Sequence, residues 1–188
     1  MARVALRSQL TAPEYLAWEA AQLDRHEFHH GEVFAMAGGS PRHNWLVGNV
    51  LAVAKQALDG QCFTFTPDQR VAFDAGRRYV YPDTTIVCGA VELQPGTTDV
   101  VTNPTVLVEV LSATTEAYDR GLKWEGYQQL PSLTDYLLVA QHEIRIEHGV
   151  TAVQFGQGRG DDLRPLGQFA NDERAGLLGP LGKTAGQI

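Results

Sequence analysis

Two carboxylates stand in stretches otherwise suited to buried strands. "YVYPDTTIVCG" carries Asp83, and "PTVLVEVLS" carries Glu109. A buried acid without a partner is costly, so each should meet something that holds it. Two apolar strands with one carboxylate apiece are a simple way to hold a divalent metal at a sheet. Mg²⁺ prefers such hard oxygen ligands and uses only one or two carboxylates plus waters. A cation so placed can orient a water and stabilise charge on a phosphate under attack. Such chemistry also wants an amine near the reacting centre. The stretch after Glu109 offers Lys123, with Asp119 four residues before it and Tyr127 four residues after it on the same helical face. Leu122 and Leu130 are expected to help bury that helix.

The elements that must position these groups can be read from their periodicity. "TAPEYLAWEAAQL" opens a helix, with Thr11 and Glu14 in capping-box spacing. "HEFHHGEVFAMAGG" reads as a hairpin turning near His30-Gly31. A long helix follows in "SPRHNWLVGNVLAVAKQALDG", capped by Ser40 with Pro41 at its first position. Its expected inner face is Trp45, Leu46, Asn49, Val50, Val53, Ala57 and Leu58. "CFTFTP", "QRVAFD", "YVYPDTTIVC" and "PTVLVEVLS" are strands, with "LQPGTTDVVTNP" a polar loop. A helix from Glu116 to Leu130 stops at Pro131, and "TDYLLVAQ" and "EIRIEHG" add two strands. The fold class is α/β (α+β), a mixed β-sheet flanked by helices in a single domain. Its core spans about residues 10–156, with a flexible tail at 174–188.

Composition narrows the possibilities. No run of eighteen apolar residues exists, so no membrane span is expected. The two cysteines, Cys62 and Cys88, read as reduced thiols of a cytoplasmic protein. A net charge of -7 counts against nucleic-acid binding through overall charge alone. It agrees with clustered carboxylates that hold a cation. His26, His29 and His30 lack the cysteine spacing of a zinc site and read as hairpin surface. Trp124 and Tyr127 read as core, His43 as a capping or packing residue, and at most one of Arg77 and Arg78 faces the site. "GQGRGDD" lacks the helix and lysine of a phosphate-binding loop.

The order of pieces resembles a known family. "YPD", "LVEVLS", the series Asp119, Lys123 and Tyr127, and a "DYLLV" strand are similar to the PD-(D/E)XK nuclease superfamily. Within it they resemble the Uma-type restriction-endonuclease-like proteins, and "LTAPEYLAWE" and "HEFHHGEVFAMAGGSPRHNWLVGNVLA" agree with that family's opening. The resemblance covers about residues 10–148. It implies a restriction endonuclease-like core that cuts DNA with Mg²⁺, for which Mn²⁺ would substitute. Asp83 and Glu109 would be metal ligands, with the Val110 carbonyl as a further ligand and Lys123 as the catalytic lysine. An N-terminal acid would complete the set, Glu27 or Glu32, with Glu27 preferred. His43, Asp119 and Tyr127 stand as further candidates for the site. The chain departs from the superfamily motif at Leu111, where a lysine usually shares the strand face of the second acid. The competing expectation is a catalytically inactive nuclease-fold binding or assembly module, and RNA is a lesser substrate alternative. Cutting both strands of a duplex suggests a homodimer.

Overall fold

The computed structural model describes residues 4–36, 38–58 and 60–150, and the backbone of Arg164–Pro165. The expected tail at 174–188 lies outside the described residues. Helix α1 (Ala12–Glu19) begins at Thr11 with the full capping box, the Glu14 carboxylate accepting from Thr11 N at 2.7 Å. Strands β1 (His26–His29) and β2 (Glu32–Ala35) pair antiparallel. Their turn places His30 and Gly31 at φ of 49° and 94°, the doubly positive pair that a tight hairpin of this twist requires. Helix α2 (Pro41–Ala57) starts at Ser40, whose hydroxyl accepts from His43 N.

Next come β3 (Cys62–Phe65), β4 (Arg70–Phe73), β5 (Arg78–Val80), β6 (Thr84–Cys88), β7 (Val100–Val101) and β8 (Val106–Val110). A helical crossover of α3 (Glu116–Tyr118), a π turn (Asp119–Lys123) and α4 (Trp124–Tyr127) leads to β9 (Asp135–Val139), followed by β10 (Ile146–Val150) and β11 (Arg164–Pro165). The strands form two mixed sheets, one of five in the order β2-β1-β5-β4-β7 and one of six in the order β11-β10-β9-β8-β6-β3. Parallel β8 and β9 flank the helical crossover. One core cluster joins both sheets to it, through Val71, Phe73 and Val80, then Leu107, Leu111 and Tyr136, then Trp124 and Tyr127. Helix α1 covers the five-stranded sheet around Tyr15, Phe28 and Tyr79. Helix α2 covers the six-stranded sheet around Val47, Val108 and Val110.

Several expectations need correction. The stretch at 79–88 is two strands rather than one, because Pro82 has no N–H for a ladder and the chain changes sheets there. The loop at 93–104 contains β7, which pairs parallel with β4. Helix α2 packs Val47 with Leu46, Val50 and Leu51 against the core, while Trp45 is 63% and Val53 44% exposed, so the inner face overlaps the expected one only in part. Leu122 is 48% exposed, whereas Leu130 is buried as expected. The cysteines are not free thiols: β3 and β6 set Cys62 opposite Cys88, with Cα atoms 4.2 Å apart, and a disulfide joins them. Among the described residues no helix is long and apolar enough to cross a membrane.

Candidate functional site

Alternation along β8 sends Leu107, Glu109 and Leu111 towards the helical crossover and Val108 and Val110 towards α2. Residues four apart on an α-helix drift by about 40° per step; the wider π turn takes up that drift. Asp119, Lys123 and Tyr127 therefore all reach the interior, at 1%, 5% and 0% exposure. Lys123 Nζ lies 2.8 Å from Glu109 Oε1, 3.2 Å from Asp119 Oδ1 and 3.5 Å from Glu27 Oε1. Tyr127 donates its hydroxyl to the same Glu109 oxygen at 3.2 Å. The Asp119 contact is an ion pair without hydrogen-bond geometry, and Asp119 Oδ1 is otherwise buried without a donor.

Three buried acids thus share one amine. Burial alone would drive Lys123 towards its neutral form, but Glu109, Asp119 and Glu27 together raise its pKa well above the ordinary range. Burial pushes Glu109 up well above the usual carboxylate range; Lys123 opposes this, and the charges of Asp119 and Asp83 add to it. The lysine therefore keeps its ammonium, and Glu109 is held ready to take up a proton.

Asp83 sits where the chain leaves the five-stranded sheet for the six-stranded one, just before β6. Its Oδ2 accepts from Val110 N at 2.7 Å and pairs with His43 Nε2 at 3.1 Å. That bond to Asp83 raises the His43 pKa, opposed by burial and helped by the Val110 backbone. The first turn of α2 is anchored there as well. Gln141 accepts from Ser40 Oγ, takes the Arg42 guanidinium on its backbone carbonyl, and donates to Leu111 O at 2.6 Å.

The structure gathers Glu27, Glu109, Asp119, Lys123 and Tyr127 into one buried cluster. Asp83, His43 and Val110 lie at its edge, and Asp83 acts on Glu109 through its charge rather than by direct contact. Glu32 points outward and is exposed, so of the two hairpin acids only Glu27 reaches Lys123. Leu111 is buried in the core beside Trp124 and Tyr127, on the face of Glu109. Arg77 is turned to Asp74 at the surface, while Arg78 is buried and donates to Leu122 O. His26 is not hairpin surface: it is 8% exposed and bound to Glu19. His43, read as a capping or packing residue and kept among the further candidates for the site, pairs with Asp83. The available signal for His43 was its spacing of three from the Ser40 cap, which starts the helix at the end of the sheets.

The donor set suits a hard divalent cation. Both hydrogen bonds to Asp83 fall on Oδ2 and both to Glu109 on Oε1, and among the described residues the second oxygen of each takes none. Among the described residues Lys123 touches Glu109, Asp119 and Glu27, and His43 pairs with Asp83. Among the described residues no group of three or more His, Cys, Asp or Glu side chains is placed so that it could hold a metal ion by itself. A site of one or two carboxylates finished by water is the type that Mg²⁺ uses.

Residues 12–157 match the Uma2 family, described as "Putative restriction endonuclease". Two uncharacterized proteins of Synechocystis are similar over most of their length. One, slr1290, is 36% identical over 140 residues, covering 74% of this chain and 73% of that protein. The other, sll1609, is 34% identical over 146 residues, covering 77% and 82%. The crystal structure of "a putative nuclease belonging to DUF820" from Anabaena variabilis matches with a TM-score of 0.60 at 12% identity, over 76% of this chain and 80% of that one. At that identity the likeness is one of fold alone.

Proposed function

The chain belongs to the Uma2 family of restriction-endonuclease-like proteins, and on that premise we propose that it is a Mg²⁺-dependent endonuclease that hydrolyses phosphodiester bonds of DNA. The observation that carries the reading is the Lys123 ammonium, buried among Glu27, Glu109 and Asp119 and bordered by Asp83. Asp83 and Glu109 would hold the cation, with Glu27 and the Val110 carbonyl as further donors. When bound there, a divalent cation would stabilise charge on the phosphate and make water a better nucleophile. Lys123 directs the attacking water and faces the negative charge that grows on the phosphate, in a site already poor in water. Asp119 and Tyr127 fix the amine and the Glu109 carboxylate. Leu111 leaves the motif position without an amine, and Lys123 supplies one from the crossover helix. Duplex cleavage by two such sites would call for a homodimer, which sedimentation at micromolar concentration tests.

Double-stranded DNA incubated with Mn²⁺, with and without chelator, tests the activity. Cleavage is expected in wild type, lost with chelator, and lost in Lys123→Ala. Mn²⁺ titration by calorimetry should give a signal that Asp83→Ala abolishes; no signal in wild type sinks the reading. A second reading, a nuclease-fold binding or assembly module without activity, draws on Leu111 and the acidic net charge of -7. It is favoured if the protein binds DNA yet nicking is unaffected by Lys123→Ala, since such nicking is contamination. RNA incubated in parallel separates the two nucleic acids as substrate.

A further inference from the structure

A second buried polar network lies behind the acid cluster. Glu19, the last residue of α1, is 5% exposed. A carboxylate there faces the unfavourable end of the helix dipole, so its burial must be offset by donors. Glu19 Oε1 accepts from Tyr81 OH at 2.9 Å and from His26 N at 2.9 Å. Glu19 Oε2 pairs with His26 Nδ1 at 3.0 Å. Arg70 Nε donates to Tyr81 OH at 2.8 Å, and its guanidinium lies over the Tyr81 ring at 5.4 Å and the Tyr15 ring at 5.8 Å. Tyr15 in turn donates to the His26 carbonyl at 2.7 Å. Burial pushes the Tyr81 hydroxyl up to about 12 against the pull of Arg70, so it stays protonated and bridges the cation to the acid.

The two residues that Glu19 grips are neighbours of two acids of the site. His26 and Glu27 are consecutive on β1, so one side chain turns to α1 while the other turns to Lys123. Tyr81 precedes Pro82-Asp83, the point at which the chain changes sheets. Proline fixes its own φ and restricts the residue before it. A shift of Tyr81 therefore passes to Asp83 with little slack.

We propose that Glu19 is a positioning residue: by clamping His26 and Tyr81 together it sets the spacing of Glu27 and Asp83, and with it the affinity of the acid cluster for a divalent cation. The inference rests on the cation site proposed above. Glu19 touches neither acid, so it acts only through the two residues it binds. Loss of a hydrogen bond made directly to a metal ligand lowers affinity about tenfold or more; Glu19 stands one residue further out, so about tenfold is the upper end of the expected loss.

Mn²⁺ alone, titrated by calorimetry into wild type, Tyr81→Phe, Glu19→Gln and Val33→Ala, tests this, with melting temperatures measured alongside. Tyr81→Phe keeps the ring and removes only the hydroxyl, so it stands even if Glu19→Gln does not fold. Val33 is a core residue of the same sheet without a polar link to the acids. Mn²⁺ affinity is expected to fall, by up to about tenfold, in Tyr81→Phe and Glu19→Gln. In Val33→Ala it is expected to stay at the wild-type value despite a lower melting temperature. Equal affinity in wild type and Tyr81→Phe overturns the proposal and leaves the cation site standing. An equal loss in Val33→Ala also overturns it, because the effect would then follow stability alone. No heat of binding in wild type removes the cation site and this inference with it.

Discussion

The buried polar clusters around Glu19 and Lys123, which meet neighbouring residues of β1, are built on opposite principles. Around Glu19 one carboxylate receives three donors, spread over both oxygens, with the Arg70 guanidinium behind Tyr81. Around Lys123 one amine serves three carboxylates, and among the described residues Asp119 Oδ1 has the Lys123 ion pair but no hydrogen-bond donor. The first cluster is nearly saturated, as buried polar groups normally are. The second gathers three buried acids around one ammonium, a less evenly matched arrangement. On the reading proposed above, the saturated cluster is the part that holds position and the crowded acids are the part that receives a cation.

Removing the amine should expose that imbalance most strongly. Lys123→Met leaves Glu27, Glu109 and Asp119 buried without their shared cation. A broken buried ion pair costs about 3–5 kcal/mol, so a loss of that size is expected in urea unfolding. Lys123→Met combined with Glu109→Gln should recover part of it. A single variant as stable as wild type would mean that the acids do not depend on Lys123, and the contrast between the clusters would vanish.

The pH dependence of stability sharpens the contrast next. The Glu109 pKa is raised in the folded protein by burial and by Asp119 and Asp83, against Lys123, above an ordinary value of 4.5. Between the unfolded and the folded value the native state binds more protons than the unfolded chain. This contribution is therefore complete below the ordinary value and is lost as pH rises through the folded one. Glu109→Gln cannot titrate, so its stability should decline less than that of wild type from about pH 5 upward. Parallel stability curves for the two proteins would show that Glu109 does not carry the excess charge. The same substitution is expected to abolish the Mn²⁺ signal while the protein stays folded.

Which parts of this were legible in the sequence follows from how local each rule is. The Thr11–Glu14 capping box, the Ser40-Pro41 helix start and the His30-Gly31 turn each depend on a few adjacent residues, and all three are present. Glu109 and Lys123 were legible because a lone charge inside "VLVEV" demands a partner, and the next helix offered an amine. Glu27 and Glu32 could not be separated by type or spacing, since the choice depends on which hairpin face meets the helix. The break at Pro82 was hidden because "YVY" and "TTIVC" are both good strands, and only their partners assign them to different sheets. Cys62 and Cys88 are 26 residues apart, and strand pairing alone brings them together. His26 sits in "DRHEFHH", whose polar character suggests surface. Its burial depends on Glu19 across the turn between α1 and β1.

The smallest effects test the comparison most finely, because they remove one hydroxyl from each cluster and leave the rings in place. Tyr81 OH both donates to Glu19 and accepts from Arg70, so Tyr81→Phe takes a partner from two buried charged groups at once. A buried charged group left short of a partner costs about 1–3 kcal/mol. Tyr127 OH only donates to Glu109, whose Oε1 still has Lys123 2.8 Å away. Tyr127→Phe should therefore lose less, about 0.5–1.5 kcal/mol, the net worth of an ordinary hydrogen bond. Urea unfolding of the two variants side by side reads the difference directly. If Tyr127→Phe proves the more costly, Glu109 depends on its hydroxyl more than Glu19 depends on Tyr81. The cluster around Lys123 would then be the tighter of the two, built to hold the fold rather than to receive a cation.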